Sequence, residues 1–242
     1  MRILIVNDDS VSASQLVPLI RCCRQFGDVT TVVPKVEQSG KSHGIELLKP
    51  FEATQQQIAE DVTAWVVDST PADCVRVALF GLRLAFDLCI SGINRGFNMG
   101  TDILYSGTVS AACEAAMQGI PSLAVSTSRD YYDQAVSHMG DVLSFVFDKK
   151  LFDRNLIYNI NIPKNCKEVR FTRQGGPFYS DDYQAVGENM YQACGVCVYQ
   201  NNGDMTLDTN AVMSGYLSIT PLTVDRTHLK IYHALRDQED IV

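Results

Sequence analysis

The residues best suited to chemistry in this sequence are two adjacent carboxylates, Asp8 and Asp9, which end a short apolar run near the N-terminus. Neighbouring carboxylates repel one another, so both stay ionised only if a cation lies between them or water screens them. Oxygen ligands without Cys or His partners suit a hard divalent ion such as Mg²⁺, Mn²⁺ or Ca²⁺. A solvated loop that caps the next helix explains the pair equally well. The pair alone leaves both interpretations open.

A second group of candidate residues lies in the stretch SGINRGFNMGTDILYSGT at 91–108, directly after another apolar run. Asn94 and Asn98 offer amide oxygens as neutral metal ligands and amide N–H groups as donors to an anion. The glycines of the stretch let backbone N–H groups approach a ligand closely. A turn-rich surface loop explains each residue singly, but it explains less well why they lie between a buried strand and a helix start. We therefore interpret this stretch as part of a binding site.

Two short segments add hydroxyl groups to the candidate set. Ser106, Gly107 and Thr108 lead into a helix of small residues, and the free backbone N–H groups of a helix start favour a phosphate. Ser39 follows another apolar run after a short loop, where it is either a ligand to an ion or an ordinary turn residue. Taken together, the acids, amides and hydroxyls would suit a metal ion beside a phosphate group.

The apolar pattern predicts a sheet that brings these distant residues together. Apolar runs predict strands at 2–6, 29–33, 65–67, 88–91, 122–125 and 155–162, and helical spacing predicts helices near 16–23, 71–84, 108–118 and 132–147. This regular alternation predicts an α/β fold with an open, doubly wound, mostly parallel sheet. Because the carboxyl ends of parallel strands share one edge of the sheet, we expect the candidate residues to meet there.

The pattern changes after residue 165, which divides the chain into a core at 1–165 and a C-terminal extension at 166–242. The extension carries hairpin-like strands at 191–200 and 215–220, separated by polar turns, and a helix-like tail at 225–236. The sequence has no internal repeat and no low-complexity linker. We therefore expect the extension to pack on the core.

Composition and charge narrow the classes of function. A formal net charge of −8 without a Lys/Arg-rich run argues against binding a nucleic-acid polymer, but leaves a single nucleotide open. The 8 cysteines lie mostly in apolar runs, which is typical of buried side chains in a reducing compartment. The N-terminus lacks the pattern of a secretory signal, and no apolar run approaches the roughly 18 residues of a membrane span. We therefore expect a cytoplasmic protein that makes no use of a membrane.

Several motifs spread along the chain carry a family resemblance. They are NDD after the first strand, SGINRGFNMGTDILYSGTVSAACEAA at 91–116, TPADCV at 70–75, NINIP at 159–163, FTRQG at 171–175 and GYLSITPL at 215–222. Together they resemble the survival protein E (SurE) family. The resemblance implies a Rossmann-like core and a metal-dependent 5'-nucleotidase acting on nucleoside monophosphates, with 3'-nucleotides and short polyphosphate as further substrates. It also implies a homodimer that exchanges C-terminal segments, and leaves open whether dimers pair into tetramers.

The resemblance also assigns roles to individual positions and implies one divalent cation per subunit. Its metal ligands fall on Asp8, Asp9, Ser39 and Asn94. Its phosphate-binding surroundings fall on Asn98, Ser106, Gly107 and Thr108, and its catalytic residues on Asp8, Asp9 and Asn98. The ion would bind a phosphate oxygen and activate a water, and the resemblance leaves open which aspartate orients that water.

Some positions depart from the family pattern without removing an expected ligand. Ser10 and Gln15 stand where glycines are usual, Ser69 stands where a glycine usually precedes TP, and Asn210 stands where an acid is usual. His43, in the loop after Ser39, is compatible with a general acid, a contact to a base or a surface position. These departures bear on substrate preference more than on activity.

Two other functions are compatible with the acidic pocket. A haloacid-dehalogenase-type phosphotransferase also places carboxylates after its first strand, but it needs a second acid two residues later, where this chain has Ser10. A non-catalytic nucleotide or metal sensor would use the same pocket without turnover. A covalent phosphoenzyme would identify the first alternative, and nucleotide binding without phosphate release the second.

Overall fold

The computed structural model describes residues 1–236, and its framework is a nine-stranded sheet. In chain order the strands are β1 (Arg2–Val6), β2 (Asp28–Pro34), β3 (Ala53–Ala59), β4 (Val62–Val67), β5 (Leu88–Arg95), β6 (Ser122–Thr127), β7 (Ile157–Ile162), β8 (Val169–Phe171), β9 (Tyr183–Gly187), β10 (Met190–Ala193) and β11 (Leu217–Pro221). The order across the sheet is β3-β4-β2-β1-β5-β6-β7-β11-β8, and β9 and β10 form a separate antiparallel hairpin.

Helices pack against the sheet and connect its parallel strands. The α-helices are α1 (Leu16–Cys23), α2 (Pro71–Arg76), α3 (Gly107–Met117), α4 (Met139–Asp148), α5 (Asp208–Met213) and α6 (Leu229–Arg236). Short 3₁₀-helices lie at Gly100–Tyr105, Tyr132–His138 and Leu151–Asp153. In the part of the sheet with the order β4-β2-β1-β5-β6-β7, every pair of neighbouring strands is parallel. The predicted α/β class with a doubly wound, mostly parallel sheet is therefore confirmed.

Strand β1 shows why the runs that predict the central strands are mainly apolar. Its successive side chains point to opposite faces of the sheet. Ile3 and Ile5 pack in a cluster with residues of α1 and α4, whereas Leu4 and Val6 pack in a second cluster with residues of α2 and α3. Because both faces are covered, all positions from Ile3 to Val6 are buried and apolar, and polar residues return only at Asn7 and the two aspartates.

The C-terminal part differs from the hairpins that its sequence predicts. The hairpin itself lies at 183–193, and the predicted strand at 215–220 is β11, which pairs antiparallel with β7 inside the main sheet. Strand β8 then pairs in parallel with β11. Strands β8 and β11 therefore continue the sheet of the core, whereas the hairpin of β9 and β10 does not. The division at residue 165 stays a prediction, and residues 237–242 of the predicted extension lie outside the described residues.

The edge of the sheet and the lengths of the helices are two further features of the fold. Strand β3 was not expected from the sequence, because its segment ATQQQIA is polar and its central glutamines are exposed at the edge of the sheet. Within residues 1–236, the structure contains no helix that combines the length and the apolar character needed to cross a membrane.

The turn after β1 holds Ser10 with a φ of 75°, in the left-handed region that glycine adopts most easily. Its Oγ accepts a hydrogen bond from the Ser12 N–H at 3.2 Å, a contact that both glycine and alanine would lose. Only glycine would also relieve the backbone strain. We therefore expect the free energy of unfolding of Ser10→Gly to be about 1 kcal/mol higher than that of Ser10→Ala, so that the glycine variant is the more stable. Urea denaturation of the two variants measures this difference, and equal stabilities would contradict the strained turn.

Candidate active site

Most of the residues predicted for the site surround one cavity at the carboxyl ends of the central strands. The cavity has a volume of about 310 Å³, and the predicted residues that line it are Asp8, Ser39, Asn94, Asn98 and Ser106. Asp9, Gly107 and Thr108 do not line it but lie next to Asp8, in the chain or in space. The sheet thus brings together residues from the loop after β1, the loop after β2, the end of β5 with its following loop, and the start of α3.

Asp8 is almost fully buried, with 4% of its surface exposed. Its Oδ1 accepts a hydrogen bond from the Thr108 hydroxyl at 2.5 Å. Burial raises the pKa of Asp8 to about 6; the Thr108 hydrogen bond opposes this rise and the charge of Asp9 adds to it. A carboxylate in this position is poorly stabilised by the protein alone, and a cation bound beside it would stabilise its charged form.

Glu37, an acid that the sequence interpretation did not include, acts on both Asp9 and Ser39. Asp9 Oδ2 accepts a hydrogen bond from the Arg95 backbone N–H at 2.8 Å. Burial raises the pKa of Asp9, and the charge of Glu37 adds to the rise. The Ser39 hydroxyl donates to Glu37 Oε1 at 2.6 Å, which leaves its oxygen lone pairs for a ligand. Glu37 therefore orients one predicted ligand and adds negative charge near another.

Asn94 lies on β5, because this strand continues to Arg95 and the stretch SGIN is part of it. The pairing of β5 with β6 shifts register between Ser91 and Asn94. A bulge of this kind changes the direction of the following side chain. The Asn94 Nδ2 donates to the Gly96 carbonyl at 2.7 Å, so its amide oxygen is the atom left for an ion.

Asn98 is held by three polar side chains on the neighbouring strands. Its Nδ2 donates to Ser126 Oγ at 2.7 Å, and its backbone N–H donates to Asn161 Oδ1 at 3.0 Å. Its carbonyl accepts hydrogen bonds from the Asn159 and Asn161 amides, both at 2.8 Å. These buried asparagines belong to the NINIP motif, and their contacts give the motif a supporting role at the site.

The start of α3 places three predicted residues against Asp8 or the cavity. Ser106 caps the helix, because its Oγ accepts the Val109 N–H at 3.1 Å. A Cβ added at Gly107 would lie 3.1 Å from Asp8 Cβ, so this glycine permits the close approach of helix and acid. Thr108 is fully buried and its hydroxyl is bonded to Asp8. The Thr108 hydroxyl therefore donates its hydrogen bond to Asp8, whereas the sequence interpretation expected it to contact the phosphate.

The donor atoms at the site fit a hard divalent cation. They are carboxylate oxygens of Asp8 and Asp9, the Ser39 hydroxyl and the Asn94 amide oxygen, without nitrogen or sulfur. The described residues contain no cluster of three or more His, Cys, Asp or Glu side chains that could hold a metal. A cation at this site would therefore also need the neutral oxygens of Ser39 and Asn94. The buried Asn7 Oδ1, next to Asp8 in the chain, has no hydrogen-bond partner in residues 1–236.

His43 lies at a second cavity, of about 740 Å³, and not at the cavity of Asp8. Its Nε2 is 2.9 Å from Oε2 of the buried Glu114 on α3, and Arg76 binds the other oxygen of that carboxylate at 2.9 Å. The His43 contact is the main reason why the pKa of Glu114 is lowered. This position does not support a role for His43 as a general acid or as a contact to a nucleotide base. Through its contact with Glu114, His43 instead holds the loop that carries Ser39 against α3.

Comparison with known proteins gives one consistent result. A family profile described as "Survival protein SurE" matches residues 3–181. A protein of Pelotomaculum thermopropionicum named 5'-nucleotidase SurE is 40% identical over 246 residues, covering 98% of this chain and 94% of the relative. A protein of the same name from Thermosipho melanesiensis is 36% identical over 250 residues, covering 98% and 97%. The crystal structure of the SurE protein from Aquifex aeolicus has a TM-score of 0.80 at 30% identity, covering 99% and 100%.

Proposed function

This chain belongs to the SurE family, and from this premise we propose that it is a 5'-nucleotidase that hydrolyses nucleoside monophosphates with one divalent cation. The relatives carry the name 5'-nucleotidase, and they match nearly the full length of the chain. The observation that carries the proposal is the buried Asp8, which lies against a helix start and shares its cavity with Ser39 and Asn94. Such a cavity suits an anionic substrate only when a cation is bound.

The cation would be held by Asp8, Asp9, Ser39 and Asn94 and would be Mg²⁺, Mn²⁺ or Ca²⁺. When bound, it supplies positive charge for the phosphate oxygens and lowers the pKa of a water. The Thr108 hydroxyl fixes Oδ1 of Asp8, and the Arg95 N–H fixes Oδ2 of Asp9, so both carboxylates are held in one orientation. Holding both groups rigid favours a single orientation of the attacking water.

The remaining groups at the cavity stabilise charge on the phosphate. Arg95 and Arg129 line the cavity and supply cationic side chains. Asn98 is fixed by its contacts with Ser126 and Asn161, so its amide is preorganised for a phosphate oxygen. The backbone N–H groups at the start of α3 add the positive end of the helix dipole. Positioning and charge therefore account for catalysis without a covalent intermediate.

Phosphate release from a panel of esters tests this proposal. We expect the purified protein to release phosphate from 5'-nucleoside monophosphates with Mg²⁺, Mn²⁺ or Ca²⁺ and to lose this activity in EDTA. The same panel includes 3'-nucleotides and tripolyphosphate, the two finer substrate proposals. Nucleotide binding without phosphate release in any ion would instead support a sensor. An acid-stable phosphoenzyme would support a phosphotransferase.

We also propose that the protein is a homodimer that exchanges C-terminal segments. Helix α6 supports this proposal, because its apolar side chains Leu229, Ile231 and Leu235 are each about half exposed or more in the single chain. A helix with exposed apolar residues is usually covered by another surface. Sedimentation equilibrium measures the mass directly, and it also decides whether dimers pair into tetramers.

A further inference from the structure

The cavity that contains Asp8 is also lined by exposed aromatic side chains. Tyr105 and Tyr179 are 58% and 56% exposed, and Phe97 and Phe178 line the same cavity. Single exposed tyrosines are common on protein surfaces. These two are unusual because they come from distant parts of the chain and share one polar cavity with the candidate catalytic groups.

Tyr179 is held in place by its neighbours although its ring is exposed. Its backbone N–H and that of Phe178 donate to Oδ2 of Asp102, at 3.1 Å and 3.3 Å. The Phe178 ring packs edge-on against the Tyr179 ring at 5.1 Å between centroids, and it stacks on Tyr199 at 5.3 Å. The ring of Tyr179 is thus supported from one side while more than half of the residue remains exposed.

A buried carboxylate ties the two tyrosine-bearing segments together. Asp208 is fully buried and accepts hydrogen bonds from the Gly100 N–H at 2.9 Å and the Gly175 N–H at 2.8 Å. Gly100 begins the 3₁₀-helix that ends at Tyr105, and Gly175 lies shortly before Tyr179. Asp208 therefore holds the loop that carries Tyr179 beside the 3₁₀-helix that carries Tyr105. The two rings are thus placed at the same cavity before any ligand binds.

We propose that Tyr105 and Tyr179 form the subsite that binds the base of the nucleotide, an inference that rests on the proposed nucleotidase function. A phosphate ester bound at Asp8 must project its leaving group from the same cavity, and aromatic faces are the side chains on which bases stack. Stacking tolerates every base because each has a π-face. The subsite should therefore select for the presence and size of a base, with purines preferred over pyrimidines.

The test compares a purine nucleotide with a phosphate ester that has no base. We expect Tyr105→Ala and Tyr179→Ala each to lower kcat/KM for adenosine 5'-monophosphate about 10-fold or more, mainly through KM. For ribose 5-phosphate the same variants should stay within about 3-fold of the unsubstituted protein. Tyr105→Phe and Tyr179→Phe keep the ring and should retain the nucleotide activity. Tyr183→Ala is the matched control, because Tyr183 is 67% exposed and does not line this cavity.

The outcomes separate this inference from the proposed function. Equal losses on both esters would show that the tyrosines support the structure only, and unchanged kinetics on both would show that they bind nothing; either result overturns the subsite. If the unsubstituted protein releases no phosphate from any ester, the proposed function fails. Calorimetric titration with adenosine 5'-monophosphate and with ribose 5-phosphate then decides the subsite. Tighter binding of the nucleotide that is lost in the alanine variants supports the subsite, and equal binding of the two ligands overturns it.

Discussion

Replacing Asp8 with asparagine is expected to lower phosphate release about 1,000-fold or more without destabilising the fold. Asparagine keeps the shape of the side chain, and its amide oxygen can still accept the hydrogen bond from Thr108. The lost negative charge is what would hold the cation, so activity disappears with it. The same charge is buried and costly in the protein without metal, so its removal should leave the melting temperature unchanged or higher.

Activity and melting temperature of Asp8→Asn have to be measured together, the first by phosphate release and the second by circular dichroism. Asp148→Asn provides the matched control, since Asp148 is an exposed acid at the end of α4. The control should change neither quantity. If Asp8→Asn retained a tenth of the normal turnover, Asp8 could not be a ligand that the reaction requires. A large fall in melting temperature would show instead that the carboxylate has a structural role.

The central part of the fold could be predicted because its strands are buried on both sides. The runs at 2–6 and 122–125 have no polar alternation, and they form β1 and β6 of the parallel sheet. Once the sheet was parallel, the rule that loops converge at the carboxyl edge brought Asp8 and Asn94 to one cavity. Sequence pattern and fold rule together therefore predicted that these residues share one cavity.

The edges of the sheet could not be predicted in the same way. Strand β3 is exposed and rich in glutamine, so its sequence carries no burial pattern. Strand β11 has a strand-like sequence, but nothing local shows that it pairs with β7 rather than with a hairpin partner. Pairing between distant segments depends on the whole sheet, and single-chain periodicity does not report it.

Contacts that orient the site residues were also missed. The Thr108 hydroxyl was expected at the phosphate because helix starts bind anions, but the tertiary packing of α3 brings it to Asp8. The amides of Asn159 and Asn161 did carry a signal: they alternate with isoleucines on β7, and successive residues of a strand face opposite sides. Two buried amides on one face of a central strand require polar partners, and Asn98 is the partner they have.

Gly107→Ala is expected to lower kcat/KM between about 10- and 100-fold, the second largest effect that the structure predicts. An added Cβ would lie 3.1 Å from both Asp8 Cβ and Pro71 Cγ, which is shorter than ordinary van der Waals contact. Asp8 Cβ is fixed by the buried backbone that directly follows β1, so it cannot rotate away. The start of α3 must move by a few tenths of an ångström instead, and the Thr108 hydroxyl moves away from Asp8 with it.

Steady-state kinetics and thermal melting of Gly107→Ala, with Gly140→Ala as control, separate this displacement from a general effect of alanine. Gly140 lies on α4, and a Cβ there would meet no atom within 4 Å. The control should keep full activity and gain about 0.5 kcal/mol of stability from the loss of glycine in a helix. A fall in kcat/KM confined to Gly107→Ala would show that catalysis depends on the spacing between α3 and Asp8. Equal activity of both variants would mean that Asp8 tolerates a shift of the helix, and the helix start would then have no positioning role.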